Sequence, residues 1–152
     1  MSLASDIQTI LAADAALIAI FGNLIITYEQ LGDLGLNRVG FPSAFDSAGE
    51  LLPILVVRDR NANATSAMRG ESEQIESYVQ AAEIVCYCSR VNNTNDTILD
   101  TALARVYTLL QDKNAGSTRM MQRQRVNGQR EPLLNYAWMG WAIWDAMGLF
   151  KP

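Results

Sequence analysis

"AAEIVCYCSRVNNTNDTILDTALARVYTLLQ", residues 81 to 111, carries two periods in succession, and the switch between them decides the fold. Ile84, Cys86 and Cys88 recur at every second residue, as side chains on one face of a strand must. From Ile98 the spacing lengthens. Ile98, Leu99, Ala102, Leu103, Val106, Leu109 and Leu110 recur at three and four and make one apolar stripe along a helix. The polar tract between the two supplies the helix start: Thr94 or Asn95 can cap it, Asp96 and Asp100 suit its positive end, and Lys113 its negative end. Asn114 to Gly116 stop it. A strand leading into such a helix predicts that the stripe packs on a sheet.

Upstream, Leu3, Ile7, Ile10, Leu11, Leu17, Ile18 and Phe21 predict a first amphipathic helix, with Ser5 and Gln8 as its capping box and Gly22 as its stop. "LIITYEQ", residues 24 to 30, is rich in β-branched and aromatic residues and predicts a short strand. Residues 32 to 50 hold four of the ten glycines and Pro42, the composition of a loop with one helical turn. In "LLPILVVRDR", residues 51 to 60, the apolar core Ile54 to Val57 suits a strand covered on both faces, with Pro53 at its start. A polar excursion over residues 60 to 74 then predicts a mobile insertion at a hairpin's end. In the strand that follows, Ile75 and Val79 are odd whereas Ile84, Cys86 and Cys88 are even. A bulge near Ala81 and Ala82, or an extension beyond the sheet, would account for the change of phase.

Downstream, "RMMQRQRVNGQREP", residues 119 to 132, places Asn127-Gly128 as the turn of a type I′ hairpin. That turn would set Arg125 opposite Arg130, an unfavourable like-charge pair, and put Arg119, Met121, Arg123 and Arg125 on one face. Residues 119 to 130 thus predict a projecting hairpin with a cationic side. In "LLNYAWMGWAIWDAMGLF", residues 133 to 150, Tyr136, Trp138 and Trp144 share strand parity, while Trp138, Trp141 and Trp144 also recur every third residue. A strand through about Ile143 is favoured. The order is helix, strand, loop, strand, strand, helix, strand, strand. It predicts an α+β fold: a small mixed β-sheet with two main helices packed on one face.

Composition narrows the chemistry. Hydrophobic residues make up 49% and charged ones 18% of 152, which suits one folded domain spanning residues 1 to 152. The sequence has no histidine, so serine-histidine and cysteine-histidine dyads are impossible and the commonest metal ligand is missing. Cys86 and Cys88 cannot alone complete a zinc set of about four ligands and read as buried thiols. Glu71, Glu73 and Glu76 lack the glycine-containing loop of a hard-cation site and read as a solvated charge run. "GDLGLNRVG" is not a dinucleotide fingerprint, and no phosphate-binding loop occurs. No enzyme activity, cofactor or metal is expected. The first 22 residues lack a basic leader and are interrupted by Asp6 and Asp14, so neither a signal peptide nor a membrane contact is expected. The tryptophans predict core and subunit interface rather than a small-molecule pocket.

In the order of its elements the chain resembles the tail terminator, or tail completion, proteins of long-tailed bacteriophages, the family of the lambda-type minor tail protein U. The resemblance rests on "ILAADAALIAIFGNLIITYEQ", a helix ending in a Phe-Gly turn into a strand, on "LLPILVVRDR", a strand opened by Leu-Pro, and on the strand, turn and helix of residues 81 to 111. It covers residues 3 to 111 and includes no catalytic motif. It implies a structural virion protein, assembled in the host cytoplasm and located at the tail or neck. Such proteins form a ring, commonly a hexamer, that caps the tail tube, stops its polymerisation and presents the surface for the head-tail connector protein. DNA would be met only in passing through the lumen.

A ring needs two different, complementary patches on each subunit. Residues 1 to 118 carry seven Lys and Arg against fourteen Asp and Glu, net -7, whereas residues 119 to 152 carry five against two, net +3. Opposite charge favours head-to-tail contact. Arg119, Arg123, Arg125, Arg130, Trp138 and Trp141 are therefore the expected contacts with a neighbouring subunit or the tail tube. The alternatives are another neck or connector protein, and a nucleic-acid-binding module built on the arginines.

Overall fold

The structure, a computed structural model, describes residues 2–30, 44–64, 76–93, 95–116, 118–130 and 137–150. The fold is α+β. Among the described residues, α1 (Leu3–Ala12), α2 (Ala15–Phe21) and α3 (Thr97–Leu110) are helices that lie on one face of a six-stranded sheet. Its strands are β1 (Ile25–Thr27), β2 (Ile54–Ala64), β3 (Glu76–Ser89), β4 (Asn114–Ala115), β5 (Thr118–Arg130) and β6 (Ala137–Phe150). They run in the order β1-β2-β3-β6-β5-β4, with β1 parallel to β2 and every other neighbour antiparallel.

The single N-terminal helix expected from periodicity is two helices. Asp14 adopts an extended backbone (ψ 123°) and accepts the Leu17 amide at 3.1 Å, so it ends one helix and caps the next. The two axes bend by 92° at this break. Capping at the chain start also differs. Ser2, not Ser5, is the N-cap, accepting from the Ser5 amide at 3.2 Å, while Gln8 donates to the Ile25 carbonyl at 3.0 Å and ties α1 to β1. At α3 the N-cap is neither Thr94, which lies outside the described residues, nor Asn95 but Asp96, whose side chain makes no capping hydrogen bond; the Asn95 carboxamide accepts the Thr97 amide at 3.0 Å from one residue before it.

β2 starts immediately after Pro53, as its missing N–H requires. β3 itself carries no bulge at Ala81 and Ala82, since its ladder with β6 runs without a slip; the irregularity lies in β2, where three steps from Arg60 to Asn63 oppose two from Ala81 to Val79. Of the expected insertion at 60 to 74, residues 60–64 belong to β2 and the rest lie outside the described residues, together with Glu71 and Glu73.

The hairpin expected at 119 to 130 is not formed. β5 runs straight through Asn127-Gly128 and pairs along its length with β6, so Arg125 lies opposite Ala142 and Arg130 opposite Trp138. A type I′ turn would have placed two arginines face to face. Pairing with a tryptophan-rich strand avoids that repulsion and leaves Asn127-Gly128 as a slip in register between Val126 and Gln129. β6 is a strand throughout and extends past Ile143 to Phe150.

The main core lies between helices and sheet. Ile7 and Leu11 of α1, Leu17 of α2, and Leu99, Leu103, Val106 and Leu110 of α3 meet Leu55, Val57, Ile84, Cys86, Met120 and Trp144 from the sheet. α3 sits close because β6 carries a glycine beneath it. A Cβ at Gly140 would stand 3.1 Å from Leu103 Cδ1 and 3.4 Å from Leu99 Cβ. A smaller cluster around Leu24, Ile26, Leu51, Ile54, Val56 and Ala137 covers part of the opposite face.

Trp144 is fully buried, yet its Nε1–H meets no acceptor among the described residues. Trp144→Ala should therefore destabilise the fold by about 3–5 kcal/mol. Trp144→Phe, which also removes the unsatisfied N–H, should cost distinctly less. Urea unfolding of both variants checks the difference, and equal losses would refute it.

Candidate assembly interface

Side-chain alternation along β3 and β6 assigns the even residues Ile84, Cys86, Ala142 and Trp144 to the helix side, and the odd residues to the other face. There Val85, Tyr87, Met139, Trp141 and Ile143, with Arg60 and Glu83, line a groove of 290 Å³. Its charged rim is organised by carboxylates. Glu83 Oε2 holds Arg58 Nη2 at 3.0 Å and Arg60 Nη1 at 3.2 Å, so two guanidinium groups share one oxygen and the local charge is positive. On the far side Arg123 grips Asp145 in a two-bonded pair, Nε to Oδ2 at 3.0 Å and Nη2 to Oδ1.

The six residues expected at an interface do not converge. Arg119 is exposed and lies 3.6 Å from Asp112. Arg123 occupies a register slip between Gln122 and Gln124, and the slip reverses the phase of β5. In consequence Arg125 sits opposite Ala142, on the side away from Arg123, exposed and without an ion pair to a described residue. Arg130 pairs with Trp138 in the ladder, and its side chain lies outside the described residues. Trp138 is used internally: its Nε1 donates to the Asn93 carbonyl at 3.0 Å, and the Arg90 guanidinium stands 4.8 Å from its ring centre. Of the tryptophans only Trp141 lies in the groove, half-buried.

Arg60, Glu83, Val85, Tyr87, Met139 and Ile143 join Trp141 there although no local pattern in the sequence marks them. The available signal was that both parities of 138 to 144 are apolar, which marks a strand needing cover on both faces.

The helix layer is charged in the opposite sense. Asp14 binds Arg105 of α3 through Oδ1 and Oδ2, at 2.6 to 3.2 Å, while keeping its cap to Leu17. The Arg105 hydrogen bonds hold its carboxyl below the usual carboxylate range against the opposing effect of burial. Among the described residues no group of three or more Cys, Asp and Glu is placed to hold a metal ion. Burial pushes the Cys86 thiol far up and the Cys88 thiol up to about 11. Neither is a thiolate at neutral pH. No single described helix is long and apolar enough to cross a membrane.

Neither protein-family models nor curated proteins match the chain. Among solved structures it is similar to a chain in the virion of a native gene transfer agent particle, with a TM-score of 0.61 at 14% identity, over 96% of this chain and 93% of that one. At that identity the likeness establishes a common fold.

Asp14 allows a pH test. Its folded-state pKa is depressed, so its stabilisation is present above the ordinary carboxylate value and is lost as pH falls through the folded one. Asp14→Ala should cost about 1 kcal/mol or more at neutral pH through the lost cap. Asp14→Asn keeps a capping oxygen and should lose only the ion pair. Its deficit relative to wild type should shrink as pH falls from about 5 toward about 2, and a deficit independent of pH would contradict the assignment.

Proposed function

We propose that this chain is a structural component of a phage-like particle: a ring-forming tail terminator that caps the tail tube, stops its polymerisation and offers the surface to which the head joins. The observation that carries the proposal is the shared fold, over nearly the full length of both chains, with a component of a gene transfer agent virion. Its partners are then further copies of itself in a ring, commonly of six, the tail tube protein and the head-tail connector protein. It acts by binding and not by catalysis, assembles in the host cytoplasm and resides at the tail or neck of the virion.

The bipolar charge of the chain supports a ring, because each subunit must offer two unlike patches. Of the expected contacts, Arg125 is the arginine available to an acidic neighbour, and Trp141 the available aromatic. Arg119, Arg123, Arg130 and Trp138 are secondary contacts in this scheme. Arg123 is already committed to Asp145.

Two experiments test the proposal. Electron microscopy of particles made without this chain should reveal overlong, headless tails; tails of normal length joined to heads would reject termination. Arg125→Glu should leave the fold unchanged and slow attachment to tail tubes by roughly tenfold at low salt. If attachment is undiminished and the wild type instead binds DNA with steep salt dependence, the arginines serve nucleic acid and the terminator assignment falls.

A further inference from the structure

α2 consists of Ala15, Ala16, Leu17, Ile18, Ala19, Ile20 and Phe21, without one polar side chain. A helix apolar all round belongs in an interior. Here only Leu17 and Phe21 are buried, while Ala15, Ala16, Ile18 and Ala19 face outward, Ile18 with 44% of its surface exposed. The groove of Val85, Met139, Trp141 and Ile143 presents the converse problem, an apolar hollow on the side of the sheet away from the helices and open among the described residues. Both features want an apolar partner, and they lie on opposite faces of the sheet. α2 cannot reach the groove of its own chain.

Charge differs locally in the same sense. The helices and their caps carry Asp6, Asp14, Asp96 and Asp100 against Arg105. Around the groove stand Arg58, Arg60 and Arg123 against Glu83 and Asp145, while Asp46 and Glu50 lie farther along that face, beside Asn92 and Ser89. We propose that α2 of one copy seats in the sheet groove of the next copy, its Ala16, Ile18 and Ala19 surface against Val85, Trp141 and Ile143, with the acidic helix layer turned toward Arg58 and Arg60. The small side chains of α2 let its backbone come close, and Trp141 supplies the aromatic anchor typical of interface centres. Every subunit then gives one surface and receives on another. Such a contact is heterologous and closes into a ring when its rotation divides the circle. The inference rests on the ring-forming function proposed above and specifies the contact that builds the ring.

The test uses one variant on each surface. Ala19→Arg places a cation on exposed α2, and Val85→Lys places one at the groove centre. Each variant alone should keep the wild-type circular dichroism and lose self-association by about 30-fold or more, the loss expected when a hot spot is broken. Mixed in equal amounts they should form a discrete dimer by light scattering, because each keeps one intact surface; that dimer also proves both variants folded. Val91→Lys, at a residue 67% exposed in the turn before α3, should assemble as wild type does. Variants that assemble normally, or a mixture that gives no dimer, overturn the contact while leaving the ring intact. A wild-type chain that stays monomeric both alone and on tail tubes overturns the ring itself.

Discussion

The ladder between β3 and β6 holds the molecule together. It runs from Glu76 opposite Phe150 to Ser89 opposite Ala137 without a slip in register. Both strands are interior to the sheet, so both must satisfy two neighbours and two faces at once. Because side chains alternate strictly across this ladder, one register fixes which residues meet the helices and which line the groove. A shift by a single residue would send Ile84, Cys86 and Trp144 outward and bring Glu83 and Asp145 beneath α3. Among the described residues the irregularities lie in the flanking strands where these run past their short neighbours β1 and β4, at Arg60–Asn63 in β2 and at Gln122–Gln124 and Val126–Gln129 in β5. There a strand can bend without disturbing the core.

Much of this was legible in the residues. The α3 stripe, the strand at Ile54 behind Pro53 and the even-numbered face of β3 are periodic signals long enough to survive tertiary context. What misled were local signals overruled by distant partners. Asn127-Gly128 has the chemistry of a tight turn, yet a neighbouring strand offers more backbone pairing to residues 118 to 130 than a two-residue hairpin could. Asp14 looked like an interruption in one amphipathic stripe. Its value as a cap, and the guanidinium of Arg105 that arrives from far along the chain, make it a corner.

The proposed assembly surface is harder to read from the residues, for a physical reason. An interface built on a sheet face draws single residues from several strands, and their alternation becomes visible only when the register is known. Arginines 119, 123 and 125 look like a stripe when parity is counted along the chain. One slip in β5 separates Arg125 from Arg123. Trp138 and Trp141, three residues apart, fall on opposite faces, and only the second is left for another molecule.

Cys86 and Cys88 sit on one face of β3, sealed beneath the helices, and the Cys86 Sγ–H donates to the Gly140 carbonyl at 3.5 Å. Oxidants and exchanging thiolates need access to sulfur and a share of ionised thiol, and both are denied here. The chain has no other cysteine. Its covalent structure is thus indifferent to redox surroundings: the chain can fold in a reducing compartment and persist in an oxidising one with no bond made or broken.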